Sequence, residues 1–268
     1  MNTYAVSGSA SGIGAATSAR LAADGHRVIG VDRHHADVEA DLSTSEGRTD
    51  AVRRIRELAP GGLDGVVPCA GIAGLTGVDP ALLVSVNYFG AVELVEGLHE
   101  VLSDQASVVL LASNSITCQP GWNAQIAAAC LAGDEHRARA LAAETEAVQV
   151  YPASKMALAY WARREGVQPQ WAGRGIRVNA IAPGLIATPM TDQLREDPVF
   201  GPFADSYPTA LGRPGTPEEI AALIAFLLSP DSSLLVGSVV FADGGTDAIL
   251  HPASPVGWEV DPITVSSA

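Results

Sequence analysis

The chain has 268 residues, of which 47% are hydrophobic, and a formal net charge of −14. This length and apolar content allow a large buried core, in one α/β domain or two small ones. The negative charge argues against nucleic acid or an anionic membrane as a partner. The sequence lacks 18 consecutive apolar residues and a basic, signal-like N-terminal region, so we expect neither a spanning helix nor a signal peptide, and a cytoplasmic location.

Cysteine and histidine spacing indicates neither a disulfide framework nor a metal site. Cys69, Cys118 and Cys130 form an odd set without a C-x-x-C pair. The histidines show no ligand spacing either. We therefore expect no metal.

Short runs rich in Val and Ile alternate with longer stretches of helical periodicity. Their continuous apolar character is typical of strands buried on both faces of a parallel sheet. The predicted strands are 3–7, 27–31, 64–68, 107–112, 176–182 and 238–242. The predicted helices are 13–24, 45–58, 80–102, 152–166 and 217–228. The alternation predicts an α/β fold with a doubly wound, Rossmann-type parallel sheet, in a single domain over 1–268.

Two segments interrupt this alternation. Segment 116–149 is rich in Ala, Glu and Arg and is predicted as a helical insertion before the helix at 152–166. Segment 246–268 contains three prolines and is predicted to be an irregular tail. The sequence TPEE at 216–219 is typical of a helix start, with Thr216 as N-cap of a capping box.

A glycine cluster directly follows the first predicted strand. Gly8, Gly12 and Gly14 lie in the sequence SGSASGIG, where a helical pattern begins. Glycine lets the backbone turn tightly and approach a pyrophosphate, and a helix N-terminus offers unpaired N–H groups and the positive end of its dipole. A strand before the cluster and a helix after it favour a dinucleotide site over an ordinary tight turn.

Asp32 ends the second predicted strand. A carboxylate there can accept hydrogen bonds from adenosine ribose hydroxyls and repels a 2′-phosphate, which favours NAD over NADP. Two alternatives stay open. The neighbouring Arg33 can bind a 2′-phosphate, and an aspartate at a strand end is also an ordinary turn residue.

The motifs resemble those of the short-chain dehydrogenases/reductases over almost the whole chain. SGSASGIG is similar to the family's TGxxxGIG, with Ser7 replacing threonine. CAG at 69–71 is similar to its NAG, VNYFG at 86–90 carries its asparagine, and IAPGLIATPM at 181–190 is similar to its PG segment. The resemblance implies NAD as cofactor. It implies cofactor contacts at Gly8, Ser11, Gly12, Ile13, Gly14, Asp32, Asp41, Leu42, Cys69, Ala70, Gly71, Asn87, Tyr151, Lys155, Pro183, Gly184, Ile186 and Thr188.

Lys155 is the single lysine among 16 basic residues, and it follows Tyr151 by four positions in YPASK. On a helix that spacing puts both side chains on one face. A phenol with its ordinary pKa of about 10 is a poor base at neutral pH, but a nearby ammonium and a positive nicotinamide favour the phenolate. We therefore predict Tyr151 as general acid/base, with Lys155 assisting it and holding the nicotinamide ribose.

Two further residues complete the catalytic set that the resemblance implies. Ser113 would position the substrate oxygen, and Asn87 would hold a water that links Lys155 to solvent. Ser115 is an alternative to Ser113, which is favoured because it lies closer to the end of its strand. A helix N-cap is the alternative role of Asn87.

Tyr151 follows Ser113 by 38 positions, which is longer than the usual family interval. The excess, 116–149, resembles the helical insertion of the bacterial 3α-hydroxysteroid dehydrogenase/carbonyl reductase branch, where it alters subunit contacts. In that branch Asp41 and Leu42 would flank the adenine. The coniferyl-alcohol dehydrogenases are also similar, so an aryl-allylic alcohol stays open beside a hydroxysteroid or other carbonyl compound. A homodimer or homotetramer is expected.

Segment 185–212 is expected to form a mobile lid over the substrate. An apolar lid suits a bulky alcohol or ketone, although any mobile loop needs apolar residues to pack down. The apolar side chains are Met190, Leu194, Val199, Phe200, Phe203 and Tyr207, together with Trp122 of the insertion. The predicted activity is NAD-dependent interconversion of a secondary alcohol and a ketone. A regulatory protein that binds NAD without chemistry is the alternative, which the intact catalytic set disfavours.

Overall fold

Seven parallel strands form one sheet in the order β3-β2-β1-β4-β5-β6-β7. The computed structural model describes residues 1–119 and 121–252. The strands are β1 (Thr3–Ser7), β2 (Arg27–Asp32), β3 (Val38–Glu39), β4 (Leu63–Pro68), β5 (Leu102–Leu111), β6 (Arg177–Pro183) and β7 (Val239–Ala242). The doubly wound parallel sheet predicted from the sequence is thereby confirmed.

Helices cover both faces of this sheet. The first six are α1 (Gly12–Ala23), α2 (Ser45–Leu58), α3 (Pro80–Val84), α4 (Gly90–Leu98), α5 (Ser115–Cys118) and α6 (Ala124–Leu131). The next six are α7 (Glu135–Ala143), α8 (Ala147–Glu165), α9 (Pro169–Ala172), α10 (Pro189–Glu196), α11 (Pro217–Leu228) and α12 (Thr246–Leu250). A π-helical turn at Ser85–Phe89 joins α3 to α4, and short 3₁₀ turns occupy His99–Val101, Gly201–Phe203 and Pro230–Ser232.

Hydrophobic residues on the strands are buried on both faces of the sheet. Val66 and Val108 belong to the larger core cluster, whereas their neighbours Val67 and Val109 belong to the smaller one. Consecutive strand residues point to opposite faces, so a continuous apolar run is what a sheet covered on both sides requires. This explains why the predicted strands were continuous rather than alternating.

The predicted elements are confirmed with shifted ends. Helices α2 and α11 have the predicted bounds, whereas β5 begins at Leu102 rather than 107 and α8 begins at Ala147 rather than 152. The sequence missed β3, because a strand of two residues carries no apolar run. It also missed the π-helical turn inside the predicted helix 80–102.

The insertion 116–149 is helical, as predicted. Its helices α6 and α7 pack against each other, α6 against α8, and α7 against α3. Ile126 and Cys130 of α6 are fully buried in the larger core cluster. The insertion therefore belongs to the helical layer on that face of the sheet.

The tail begins differently from its prediction. Residues Thr246–Leu250 form α12, which is anchored where the Thr117 hydroxyl donates to the Asp247 carboxylate at 2.5 Å. Residues 253–268 of the predicted irregular tail lie outside the described residues. The capping box at the start of α11 is confirmed, because the Glu219 amide donates to the Thr216 hydroxyl and the Thr216 amide donates to the Glu219 carboxylate.

The helical stretch Pro80–Val101 is long and apolar enough to satisfy a length-and-composition test for a membrane span. Most of its apolar window, 72%, is buried inside the protein. Val84, Leu94, Val95 and Leu98 are fully buried in the larger core cluster. The stretch packs as a core helix, and core helices of soluble proteins pass the same test.

Candidate active site

The site lies at the carboxyl edge of the sheet, where the strand order reverses beside β1. Strand β1 pairs with β2 on one side and β4 on the other. In doubly wound sheets such a point opens a crevice between the loops that follow neighbouring strands. Gly8, Cys69 and Gly184 directly follow β1, β4 and β6, and Ser113 is the second residue after β5.

The glycine loop has the geometry that its sequence predicts. Gly8 and Gly12 have φ values of +68° and +53°, a region that other residues rarely adopt. A Cβ on Gly14 would lie 2.1 Å from the Gly8 carbonyl oxygen, so a side chain there would collide with the loop. Ser11 is the N-cap of α1 but makes no side-chain cap hydrogen bond. The N-terminal amides of α1 are thus suited to an anionic ligand.

A cleft of about 330 Å³ opens over this loop. Twelve of the predicted cofactor residues line it: Gly8, Ser11, Gly12, Ile13, Gly14, Asp32, Asp41, Leu42, Cys69, Ala70, Gly71 and Thr188. Sequence reasoning missed the lining residues Ala40, Ser43, Ile72, Leu82, Val86, Pro189 and Met190. Three other predicted residues lie elsewhere: Gly184 lines a second cavity, Ile186 is buried in the smaller core cluster, and the Pro183 carbonyl accepts a hydrogen bond from the Asn114 amide.

Asp32 faces the cleft and also fixes the glycine loop. Its carboxylate accepts hydrogen bonds from the Ala10 amide at 3.0 Å and from the Arg33 amide at 2.7 Å. Asp32 therefore makes the hydrogen bonds of a turn residue and also lines the cleft. Arg33 lines the same cleft.

Ser7, which stands where the family has threonine, joins the glycine loop to the loop after β4. Its backbone carbonyl accepts a hydrogen bond from the Cys69 amide at 3.1 Å, and its hydroxyl accepts one from the Ala70 amide at 3.1 Å. Serine keeps the hydroxyl that this contact needs, so the exchange preserves the junction between the two cofactor loops.

Tyr151 and Lys155 lie on α8, with the Lys155 Nζ 5.8 Å from the centre of the tyrosine ring. The Lys155 side chain is 6% exposed and donates to the Leu111 carbonyl at 2.8 Å. Burial lowers the pKa of Lys155 to about 8, although the nearby Cys69 thiol acts in the opposite direction. This pKa is close to neutral pH, where groups that transfer protons work best.

Burial works against the acidic phenol that the sequence predicts. Desolvation raises the pKa of Tyr151, although a hydrogen bond with Ser113 acts in the opposite direction. The sequence argument counted the attraction of the lysine and nicotinamide charges and omitted the cost of removing a phenolate from water.

Ser113, rather than Ser115, contacts the tyrosine. The Ser113 hydroxyl is hydrogen-bonded with Tyr151, and it also accepts a bond from the Ser115 amide at 3.2 Å. The Ser115 hydroxyl is buried without a hydrogen-bond partner among the described residues. This geometry supports the choice of Ser113 made from the sequence.

Asn87 is not a helix N-cap, the alternative that its sequence left open. It lies inside the π-helical turn Ser85–Phe89 and is fully buried. Its side chain accepts from the Ile72 amide at 2.8 Å and donates to the Ile72 carbonyl at 3.0 Å. A Cβ on Gly71 would lie 3.2 Å from the Asn87 Oδ1 and 3.6 Å from the Lys155 Nζ, so both polar groups converge beside Gly71.

A second cavity of about 630 Å³ is lined by Tyr151. Its polar wall includes Ser113, Tyr151 and Gln119, and its apolar wall comes largely from the predicted lid. The lid residues that line it are Met190, Leu194, Phe200 and Tyr207. Of the other residues expected there, Val199 is 52% exposed, and Trp122 packs against the larger core cluster.

The lid is fastened to the loop after β4 by a buried carboxylate, Asp197. It accepts hydrogen bonds from the Thr76 amide at 2.7 Å and the Thr76 hydroxyl at 3.0 Å, and from the amides of Val199 and Phe200 at 2.9 Å. Desolvation opposes ionisation, but these hydrogen bonds hold the pKa of Asp197 at about 2. No pattern in the sequence predicts this long-range contact.

The described residues contain no group of three or more His, Cys, Asp or Glu that could hold a metal ion. Burial raises the pKa of the Cys69 thiol to about 12, although Lys155 acts in the opposite direction. Cys69 therefore contributes an uncharged thiol to the lining of the cleft.

Two family models match consecutive parts of the chain: the short chain dehydrogenase model over residues 2–146, and a model described as enoyl-(acyl carrier protein) reductase over residues 145–247. The chain belongs to the short-chain dehydrogenase family. The family recognised from the sequence motifs is thereby confirmed, and with it the class of enzyme, an oxidoreductase.

Relatives within the short-chain dehydrogenases cover almost the whole chain. The 3-alpha-hydroxysteroid dehydrogenase/carbonyl reductase of Comamonas testosteroni is 38% identical over 94% of this chain and 99% of its own. The coniferyl-alcohol dehydrogenase of a Pseudomonas strain is 31% identical over 90% and 94%. The crystal structure of the 3-alpha-hydroxysteroid dehydrogenase from Pseudomonas sp. B-0831, complexed with NADH, is 45% identical, has a TM-score of 0.89, and covers 94% of this chain and 100% of that one.

Proposed function

We propose that the protein is an NAD(H)-dependent oxidoreductase that interconverts a secondary alcohol and a ketone on a bulky apolar substrate. The observation that carries this proposal is the position of Tyr151. It contacts Ser113, lies beside Lys155, and lines the larger, mostly apolar cavity, which shares Met190 with the glycine-lined cleft. A protein that only binds dinucleotides has no need of a polar set in that cavity.

The cleft fits a dinucleotide in two respects. The glycines at 8, 12 and 14 keep side chains away from the N-terminus of α1, and the amides of that helix are suited to a pyrophosphate. At the other end, Gly71 lines the cleft and places no side chain over the buried Asn87 and Lys155. NAD, when bound there, accepts or supplies the hydride of the reaction.

The protein's own contribution is the handling of one proton. For ketone reduction, the neutral Tyr151 hydroxyl donates its proton to the substrate oxygen, while Ser113 orients that oxygen by a hydrogen bond. For alcohol oxidation, Tyr151 first loses its proton to solvent through the relay, and the resulting phenolate is stabilised by the Lys155 ammonium and by the positive charge of oxidised cofactor. This phenolate then takes the alcohol proton and becomes the neutral phenol again. Asn87 and Lys155 are assigned the proton relay behind the tyrosine.

Asp32 supports a preference for NAD over NADP. Its carboxylate ends β2 at the rim of the cleft, where it would accept hydrogen bonds from ribose hydroxyls and repel a 2′-phosphate. Because Asp32 already accepts bonds from two amides, its orientation is fixed before a ligand binds. Arg33 favours a phosphate at the same rim, so a comparison of NAD with NADP tests which side chain dominates.

The substrate is proposed to be a hydroxysteroid or another bulky carbonyl compound. The cavity of about 630 Å³ is within the range that holds a drug-sized ligand, and its walls are predominantly apolar. The similarity to a hydroxysteroid dehydrogenase over nearly the full length supports this class. An aryl-allylic alcohol is the second candidate, favoured by the similarity to a coniferyl-alcohol dehydrogenase. A cytoplasmic homodimer or homotetramer remains our expectation.

Tyr151→Phe tests the proposal. The variant keeps the ring and loses the proton, so kcat should fall by about 10²–10⁴-fold while NADH binding stays within twofold. Steady-state rates should be measured on hydroxysteroids, ketones and aryl-allylic alcohols, with NAD and NADP side by side. Wild-type-like turnover in Tyr151→Phe would overturn the assignment of the tyrosine. A wild-type protein without affinity for NADH would overturn the function itself.

A further inference from the structure

The insertion helix α7 lies behind one wall of the cofactor cleft. Leu82 and Val86, in α3 and the π-helical turn, line the cleft. From the same segment, the Ser85 hydroxyl accepts a hydrogen bond from the Arg139 Nη1 at 2.5 Å, and Arg139 also approaches the Ala81 carbonyl at 3.5 Å. Leu82 and Val86 of this helical segment therefore face the cleft, while Ser85 beside them contacts the insertion helix.

The carboxylate of Glu135 extends this contact. The Ser85 hydroxyl, which is fully buried, donates to the Glu135 Oε1 at 2.6 Å. Ser85 begins the π-helical turn that carries Asn87 two residues later. A displacement of Ser85 would consequently move the cleft wall at Val86, whereas the Asn87 side chain is held separately by Ile72.

Arg48 connects the same carboxylate to a second segment of the cleft lining, at Leu42. Its side chain is 2% exposed, and its Nη2 donates to the Glu135 Oε2 at 2.5 Å. Its Nη1 donates to the Leu42 carbonyl at 3.3 Å, and its Nε donates to the Glu93 carboxylate at 2.7 Å. Leu42 is itself a lining residue of the cleft.

Glu135 thus links two segments of the cleft lining, at Leu42 and at 82–86, that are far apart in the sequence. The cluster contains two cations, Arg48 and Arg139, and two anions, Glu93 and Glu135, so its charges balance. Burying a charge as deeply as that of Arg48 is costly, and ion pairs of this kind often contribute little net stability. A role in fixing the relative position of Leu42 and the 82–86 segment accounts better for an ionic cluster at this place.

We propose that Glu135 is a positioning residue of the insertion, which sets the relative position of Leu42 and the 82–86 segment in the lining of the cofactor cleft through Arg48 and Ser85. The inference rests on the proposed NAD(H) site. It gives the insertion a part in cofactor affinity. When the segments that line a cleft move independently, binding must order them, and the free energy that this costs lowers the affinity.

The test is the affinity of the full-length protein for NADH, titrated by cofactor fluorescence. Glu135→Ala should weaken binding roughly five- to tenfold, and Ser85→Ala, which deletes only the bridging hydroxyl, should weaken it about threefold. At saturating cofactor and substrate, kcat should stay within about twofold, because the groups at Tyr151 are not touched. Glu144→Ala, an exposed acid directly after α7, is the matched control and should bind NADH like the wild type.

Hydrogen exchange of the protein without cofactor supplies an independent measurement. The amides of 82–89 should exchange faster in Glu135→Ala than in Glu144→Ala. If wild type binds NADH and both Glu135→Ala and Ser85→Ala bind it within twofold of that value, the inference is wrong and the proposed function stands. If Glu135→Ala fails to fold, Ser85→Ala alone decides. A wild-type protein that does not bind NADH overturns the proposed function, and the inference with it.

Discussion

The two cavities beside Tyr151 are built in different ways. The cofactor cleft is formed mainly by short loops that directly follow β1, β2 and β4, and its glycine loop is fixed by contacts such as the one between Ala10 and Asp32. The second cavity is closed by contacts between segments far apart in the chain, such as Asp197 with Thr76 and Gln119 with the Val148 carbonyl. Its shape therefore depends on these long-range contacts, and Met190 is a lining residue that it shares with the cleft.

This difference separates what is common to the fold from what selects a substrate. A loop fixed by the end of its own strand has little freedom, so its geometry recurs wherever the motif occurs. A cavity wall held by long-range side-chain contacts depends on each of those contacts. Mutations on the two sides should accordingly have separable effects on the cofactor and on the substrate.

Lys155, beside Tyr151 on α8, should give the largest effect. Lys155→Met keeps much of the volume and removes the charge, so kcat should fall by about 10²-fold or more, because the tyrosine then lacks a cation to stabilise its phenolate. The same variant also allows the free-energy cost of burying the charge to be measured, through the pH dependence of the free energy of unfolding.

The sign of that pH dependence follows from the lowered pKa. Between pH 8 and 10.5 the unfolded chain keeps the Lys155 proton that the folded protein loses, so wild-type stability rises with pH there relative to Lys155→Met. The gain should approach roughly 3 kcal/mol across this window. Below pH 8 both states are protonated and the difference should be flat. Denaturant unfolding of both proteins from pH 7 to 10 is the measurement, and parallel curves would show that the lysine is not desolvated.

Asp197 should give a smaller effect confined to the substrate side. Asp197→Asn replaces one acceptor oxygen with an NH₂ that faces donors, so the lid detaches from Thr76 and its cavity wall is displaced. KM for a bulky substrate should rise on the order of tenfold, with NADH affinity unchanged. Because the pKa of Asp197 is about 2, the wild-type contact should be insensitive to pH above about 4.

Asp192→Asn is the control for this experiment. Asp192 lies on the same lid helix, 70% exposed, and contacts Arg195 at 3.4 Å. Limited proteolysis provides a second measurement, since a detached lid should be cleaved faster in Asp197→Asn than in the control. Equal loss of NADH affinity and substrate affinity in Asp197→Asn would show that the two cavities are not independent.

The sequence predicted the cofactor side well because its signals are local. Four residues on a helix place Lys155 beside Tyr151, and glycines after a strand keep side chains away from the N-terminus of α1. It could not show that Asn87 sits in a π-helical turn, because that turn depends on the long-range bonds of Asn87 with Ile72. For the same reason it could not find the contact of Asp197 with Thr76 or the cluster around Glu135.

The smallest expected effect lies outside both cavities, at the capping box of α11. Thr216→Ala removes the hydroxyl that accepts from the Glu219 amide and should cost about 1 kcal/mol, or about 2–4 °C in Tm. Thr216→Ser keeps that hydroxyl and is the matched control. Because no group at Tyr151 changes, kcat and NADH affinity should equal those of wild type at 25 °C. A loss of activity without a change in Tm would mean that α11 influences the substrate cavity, and the division into an independent cofactor side and substrate side would then need a third element.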